Sequence, residues 1–355
     1  MNFLNTLLGK AAEKKGGGQD FVAIGDTVID AFIKLKSAHE TINAESHATE
    51  LCMVFGTKLP FEFAKEVVAV GNSANAAVAA ARIGLSSGLV SHVGADENGE
   101  KCLKRFREER VSTDFIAVHP GLLTNYHYVL WFGTERTILI KHEDYPLSMP
   151  DIGPPKWLYL SSLSEHSLPF HAELASYLEA HPDTRLVFQP GTFQIKFGTD
   201  ALASVYSKTE LFFCNLEEAQ LILKIDGQAE NARDIRMLLS GIRSLGPKLP
   251  VITDGPKGSY TYVKDAEGRE FVGFLPIYPD IAPPYERTGA GDAFASTFSV
   301  AIALGKSTEE ALKWGSINSM SVCQKVGAQE GLLTHAEIEA YLAKAPSGWD
   351  VQKVG

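Results

Sequence analysis

Cysteine is scarce in this chain of 355 residues: Cys52, Cys102, Cys214 and Cys323 lie far apart and form no C-x-x-C pair. A disulfide framework and a zinc ribbon are therefore excluded, and a reducing cytoplasm is the expected compartment. Basic tracts are missing too. Lysine and arginine number 33 against 43 aspartates and glutamates, a net charge of −10. Neither a nucleic acid nor a membrane is expected as a partner, and any bound anion must be held by local groups. The apolar-rich stretch 293–305 falls well short of the ~20 residues a spanning helix needs. The opening MNFLNTLLGKAAEKKGGGQ lacks a basic lead, so it reads as a loose helical tail ending at Gly16, Gly17 and Gly18, not as a secretory signal. None of the ten histidines falls in an H-E-x-x-H motif, which removes the commonest zinc-protease pattern.

Three further motifs lack the context that would give them meaning. Gly84-Leu85-Ser86-Ser87-Gly88 satisfies G-x-S-x-G, but it follows a helix and precedes a strand, the reverse of a hydrolase elbow. Gly305-Lys306-Ser307-Thr308 mimics the end of a Walker loop, yet position 300 is valine and the segment again follows a helix. After the first apolar run, Gly25-Asp26-Thr27-Val28-Ile29-Asp30 lacks the further glycines of a dinucleotide fingerprint.

What is present is a globular composition, 45% hydrophobic and 21% charged, arranged in a βα rhythm. Short apolar runs at 21–25, 88–94, 157–162, 185–189, 211–215 and 250–255 read as strands buried on both faces. The spacing between them leaves room for crossover helices. The fold class is α/β, a doubly wound and mostly parallel sheet flanked by helices. Alanine-dense SANAAVAAARIG predicts a helix over 73–84, capped by Asn72 or Ser73 and packed close to the sheet. Further helices are predicted over 292–304 and 309–325. Two segments break the rhythm. Residues 32–67, and 126–141 with YHYVLW and TILIK around the turn FGTE, read as antiparallel strands of a small discontinuous lid. Lid strands have edges to hide, and a homodimer through the lid is one way to hide them.

The densest chemical signal is Thr288-Gly289-Ala290-Gly291-Asp292 at the start of a helix. Amides of Gly289, Ala290 and Gly291 can converge on an oxyanion with help from the helix N-terminus. Asp292 would repel a bound phosphate unless it contacts a group lying between, such as a hydroxyl about to lose its proton. The other reading is that Asp292 complements the helix dipole after a tight turn, and the local pattern leaves both open.

RTGAGDAFAS resembles the second signature of the ribokinase-like, or PfkB, carbohydrate kinases, and VGNSANAAVAAARIGLSSGLVSHVGADENG resembles the first. The resemblance spans roughly residues 21–334 with both signatures in order. It implies a kinase domain over 20–346, with lid segments about 32–67 and 119–143, between an N-terminal tail 1–19 and a C-terminal tail 347–355. It implies transfer of the γ-phosphoryl of ATP to a hydroxymethyl group, with Asp292 as general base and Gly289, Ala290 and Gly291 as the anion hole, a division of labour that suits phosphoryl transfer.

The same resemblance assigns other residues. Asp30 would grip sugar hydroxyls, although by itself it reads as an exposed loop charge. Gly71, Asn72 and Asn75 match a G-G-x-x-x-N substrate loop in which Val70 replaces the first glycine. Asn215 and Glu218 match N-x-x-E, whose glutamate organises Mg2+ and phosphate through water, and they equally match a helix capping box. Thr253, Gly255 and Gly258 would approach the ATP phosphates or form a plain turn. Asn318 would contact adenine. Thr288 and Gly327 would offer carbonyls to a monovalent cation, K+, beside Glu286 and Arg287. The reaction implied is phosphorylation of a furanose of ribose or fructose type. An adenosine-type nucleoside kinase is the second reading, in which Phe55, Phe61, Tyr126, Tyr128 or Trp131 would stack on a base, and a non-catalytic sugar or nucleotide sensor is the third.

Overall fold

The computed structural model describes residues 18–43, 48–133 and 135–354. The expected helical tail at 1–17 lies outside them. Among the described residues the main sheet is eleven-stranded. From one edge its order is Gln352–Lys353, Glu270–Leu275, Ser259–Lys264, Leu249–Thr253, Thr209–Asn215, Arg185–Phe188, Trp157–Leu160, Phe21–Ile24, Ser87–Gly94 and Val111–Ser112, with Ile116–His119 also pairing with Ser87–Gly94. Pairing is parallel from Leu249–Thr253 to the Val111–Ser112 edge, and the strands beyond Leu249–Thr253 are antiparallel. The doubly wound sheet expected from the continuous apolar runs is present, because strands covered by helices on both faces have no polar side to show. All four residues of Phe21–Ile24 and of Trp157–Leu160 are buried.

The C-terminal segment is no tail. Trp349 donates its indole N–H to the carbonyls of Pro276 and Ile277, and Gln352–Lys353 extends the sheet. Helix Asn72–Ile83 buries eight consecutive residues from Ser73 to Ala80, five of them alanines, against the sheet. Its cap is Gly71, not Asn72 or Ser73, since Ser73 Oγ donates to the Ile24 carbonyl at 2.6 Å and Asn72 turns into the cleft. Helices Ala290–Ala303 and Thr308–Val322 pack together through Gly315, where a Cβ would stand 3.0 Å from the Phe294 carbonyl.

Four strands form the lid, in the order Glu135–Leu139, Asn125–Phe132, Val28–Leu35 and Phe61–Val70, with a separate hairpin of His39–Ile42 and Thr49–Cys52. The lid reaches closer to the core than expected, starting at Val28 and ending at Val70. Its central pair, Val28–Leu35 with Asn125–Phe132, is parallel, not antiparallel. Both of those strands leave the core in the same direction from different points of the chain, which fixes their sense.

Candidate active site

Two cavities meet over the ends of the parallel strands. The larger, about 450 Å³, is polar: Asp26, Asn72, Asn75 and Gln189 line its core side, Asp30, His127 and Arg136 its lid side, and Gly289, Gly291 and Asp292 its floor. The smaller, about 190 Å³, is more apolar, with Gly255, Gly258, Tyr278, Ala290 and Met320 on its walls. Thr253, Arg287, Gly291 and Phe294 face both. The glycine loop therefore stands between two binding chambers.

Asp292 is buried in the first turn of helix Ala290–Ala303. Asn72 Nδ2 donates to its Oδ1 at 2.8 Å, Asn75 Nδ2 to its Oδ2 at 2.8 Å, and Gln189 Nε2 to its Oδ1 at 3.1 Å. Burial pushes its carboxyl above the usual range, and the three amide donors pull partly the other way. A carboxylate held so, raised yet ordered, is suited to accept a proton from a neutral partner.

The loop before it is shaped by backbone constraints. Gly289 caps the helix at φ 80°, and a Cβ there would meet Ala328 Cβ at 2.3 Å, so this loop lies directly on the turn containing Gly327. Ala290 N–H reaches back to the Arg287 carbonyl at 3.3 Å, a weak bond that leaves the amide only loosely engaged. Gly291 is different: its φ is not positive, and a Cβ added to it would meet nothing within 4 Å. No packing reason explains that glycine, and the open space beside it leaves room for the close approach of a ligand.

Asn215 and Glu218 form a complete capping box, each side chain bonded to the other's backbone N–H at 2.8 Å. Glu218 nonetheless lines the polar chamber, and burial, with Asp292 nearby as a smaller cause, raises its carboxyl. The two readings of this motif are compatible. Gly258, at φ 128°, could not carry a Cβ without striking the Leu275 carbonyl, and with Gly255 and Thr253 it edges the apolar chamber. Asn318 does not reach that chamber. It is fully buried, donates to Thr297 Oγ1 at 2.6 Å and accepts from Leu333 N–H at 2.9 Å. Ser316, Ser319 and Met320 of the same helix, with Cys323 just past its end, line the chamber instead. Thr288 donates its N–H to Glu286 Oε1 at 2.7 Å and its hydroxyl to the same oxygen. Glu286 is buried with Oε2 unpartnered, and Lys65 Nζ donates to the Val326 carbonyl at 2.8 Å in the neighbouring turn.

The profile of the pfkB family carbohydrate kinases matches residues 62–335. The chain belongs to that family. Ribokinase of Bacillus subtilis is 29% identical over 292 residues, covering 78% of this chain and 89% of its own. Cytidine kinase of Thermococcus kodakarensis is 40% identical over 129 residues, 36% of this chain and 42% of its own. Among solved structures, Arabidopsis thaliana ribokinase complexed with ribose and ATP superposes with a TM-score of 0.72 at 17% identity, over 92% of this chain and 99% of that one. The protein is a kinase of the ribokinase fold, and its family moves a phosphoryl group from ATP to a carbohydrate.

Several residues of this kinase's cleft carried no signal in the sequence. Gln189 closes the apolar run 185–189 just past strand Arg185–Phe188, and there it bonds Asp292 and accepts from the buried Tyr159 hydroxyl. Asp26, His127, Arg136 and His142 also face the polar chamber. Their only trace is parity: residues 136, 138, 140 and 142 all face the chamber, as alternate positions of an extended chain should. By contrast, none of the lid aromatics singled out for stacking lines either chamber. Tyr126 and Tyr128 pack on each other, and Trp131 packs between Phe63 and Tyr285.

Proposed function

We propose that this kinase transfers the γ-phosphoryl of ATP to a primary hydroxyl of a furanose sugar of ribose or fructose type. The acceptor occupies the polar chamber, the nucleotide the apolar one, and Asp292 takes the hydroxyl proton at their junction. Amides of Gly289, Ala290 and Gly291 face the transferred phosphoryl, and Arg287 adds positive charge beside it. One observation carries the reading: a buried carboxylate, held by three side-chain amides, sits beside a bare glycine where two chambers of different polarity meet. Asn72, Asn75 and Gln189 orient that carboxylate, while Asp30 and Gly71 border the acceptor.

Mg2+ fits the residues present. It needs few protein ligands when phosphates supply the others, and Glu218 is a single carboxylate on the chamber wall. Bound there, the ion would neutralise charge on the phosphates. A monovalent cation is proposed between Thr288 and Gly327, supported by the unpartnered buried oxygen of Glu286, although Lys65 already occupies the Val326 carbonyl. Potassium should then raise turnover relative to a bulky organic cation, and equal rates would reject it.

ADP release over a panel of pentoses, hexoses and nucleosides tests the acceptor, with a furanose expected to give the highest kcat/KM. Nucleoside phosphorylation is the second reading, favoured by the similarity to a cytidine kinase and weakened by the absence of lid aromatics from the chamber walls. A homodimer through the lid is proposed on the exposed Phe55, Phe61 and Leu139, and a monomer by light scattering would reject it. We place the reaction in the cytoplasm, where the four free cysteines would stay reduced.

A further inference from the structure

Asp30, His127, His142 and Asp26 form a row along the polar chamber. Asp30 stands opposite His127 on adjacent parallel strands, and His142 follows the lid hairpin. The two imidazoles meet through their Nε2 atoms at 3.0 Å, with ring planes 9° apart and ring centres 5.1 Å apart. Centres that far apart for so short a nitrogen contact require the line joining them to lie nearly in both planes. The rings therefore meet edge to edge, in line for an N–H···N bond, and are not stacked face to face. One hydrogen must occupy that contact, because two bare nitrogens would repel.

At the outer ends, His127 Nδ1 is 3.4 Å from Asp30 Oδ1 and His142 Nδ1 is 3.2 Å from Asp26 Oδ2. When both rings are neutral they bring two hydrogens to these three contacts, and one carboxylate then faces a bare nitrogen. Asp26 Oδ2, Asp30 Oδ1 and His142 Nδ1 are all buried without a hydrogen-bond partner, and only at the Asp26 end are both atoms of the contact so. That end carries the bare contact: His142 gives its Nε2–H to His127, and His127 points its Nδ1–H toward Asp30 across 3.4 Å, too long to satisfy that carboxylate, which also awaits a donor. This tautomer assignment follows from the network of contacts. Two acceptors facing each other with no hydrogen between them are relieved when a ligand supplies one.

We propose that Asp26 and His142 form a second hydroxyl-binding position of the acceptor chamber, with His127 as the positioning residue that fixes the His142 tautomer. The inference rests on the sugar-kinase reading and narrows it. The acceptor is a polyol with one hydroxyl at Asp30, another at Asp26 and His142, and a third that receives the phosphoryl group. Specificity then comes from the spacing of two carboxylates bridged by a rigid imidazole pair.

The test compares the best sugar of the panel with its monodeoxy analogues in the wild type, Asp26→Asn and His142→Phe. Loss of a hydrogen bond to a charged group should raise the sugar KM about tenfold to a hundredfold, with the ATP KM unchanged and kcat within about threefold. One deoxy analogue should suffer that penalty in the wild type and no longer in either variant. A sugar KM unmoved in both, or a deoxy penalty that persists in both, overturns the proposal. Asp26→Asn keeps the side-chain shape and carries the comparison if His142→Phe fails to fold. Nitrogen-15 spectra of the histidines in the wild-type enzyme read the tautomers without turnover: Nε2–H and bare Nδ1 at His142 are expected, and the reverse overturns the arrangement. If the wild type phosphorylates no sugar, the kinase reading fails on its own account, the polyol assignment falls with it, and the spectra still decide the imidazole pair.

Discussion

The two walls of the cleft are written into the chain in opposite ways. The wall at the junction with the nucleotide chamber is nearly contiguous, since Arg287, Ala290, Gly291 and Phe294 follow one another through a loop and one helical turn. The acceptor wall is gathered from distant places: Asp26 beside the first strand, Asn72 and Asn75 on a helix start, Gln189 at a strand end, and Asp30, His127, Arg136 and His142 from the lid. A contiguous wall is set by local backbone rules and tolerates little change. A gathered wall is set by strand register, so single residues can be exchanged at modest cost to the fold. Substitutions on the first wall should thus cost turnover, and those on the second should cost selectivity.

The largest expected effect is at the point where both walls touch. Asp292→Asn should lower kcat by about 10²- to 10⁴-fold, the range a lost general base commands, with both ligands still bound. Turnover that survives nearly intact would dismiss Asp292 as the base. No turnover by the wild type with any acceptor would favour a sensor. The same substitution should stabilise the unliganded protein. Burial raises the folded-state pKa of Asp292, so the folded state holds its proton more tightly than the unfolded chain does. Stability from this group is present below the unfolded pKa and is lost as pH rises through the folded one. Removing the charge should lift the neutral-pH Tm by about 1–3 °C, a shift readable by calorimetry.

A paired comparison of glycines sharpens the contrast. Gly291→Ala meets no neighbour within 4 Å, so Tm should hold while kcat falls about 10²-fold, since a methyl group would stand where the phosphoryl must approach. Gly71→Ala meets the Asp26 carbonyl at 2.4 Å and must hold φ 121°, so it should lower Tm and disturb the acceptor side. If Gly291→Ala unfolds the protein and Gly71→Ala does not, the division of roles is wrong. Glu218→Gln comes next. Glutamine preserves the capping box and removes the charge, so a kcat loss of about 10- to 10²-fold with a higher Mg2+ requirement is expected at little cost to stability. An unchanged Mg2+ dependence would reduce Glu218 to its cap.

The same contrast explains what could be read in advance. The glycine loop, its helix, the strands at 21–25 and 157–162 and the lid hairpin were legible because each is decided by neighbours in sequence: a φ only glycine adopts, a continuous apolar run, a turn between alternating strands. Gln189 was not legible, since nothing near it announces that strand Arg185–Phe188 ends against Asp292. Asn318 misled for the converse reason. A polar residue on a helix beside a ligand chamber invites a contact, yet helical phase turns it inward to Thr297 and Leu333. The parallel pairing of Val28–Leu35 with Asn125–Phe132 is a non-local fact, and with it goes the whole row of lid residues that faces the acceptor.

The smallest effect tests whether the gathered wall also tunes the base. Asn72, Asn75 and Gln189 all donate to Asp292, and each lowers a carboxyl that burial raises. With Asp292 as the proposed base, activity would need the carboxylate ionised, so kcat/KM should rise with pH through its titration, with the acid limb above the usual carboxylate range. Asn72→Ala removes one donor at 2.8 Å from a partly exposed position. The limb should then move to higher pH, with a loss of a few-fold at acid pH that shrinks toward neutrality, because one hydrogen bond to a charged group is worth about 1.5–3 kcal/mol at most and two donors remain. Asn75→Ala should move it further, since Asn75 is buried and is itself held by Gln329 at 3.1 Å, so no water readily replaces its amide. A limb that stays fixed in both variants would mean that the amides only orient the carboxylate, leaving burial alone to set when it can take a proton.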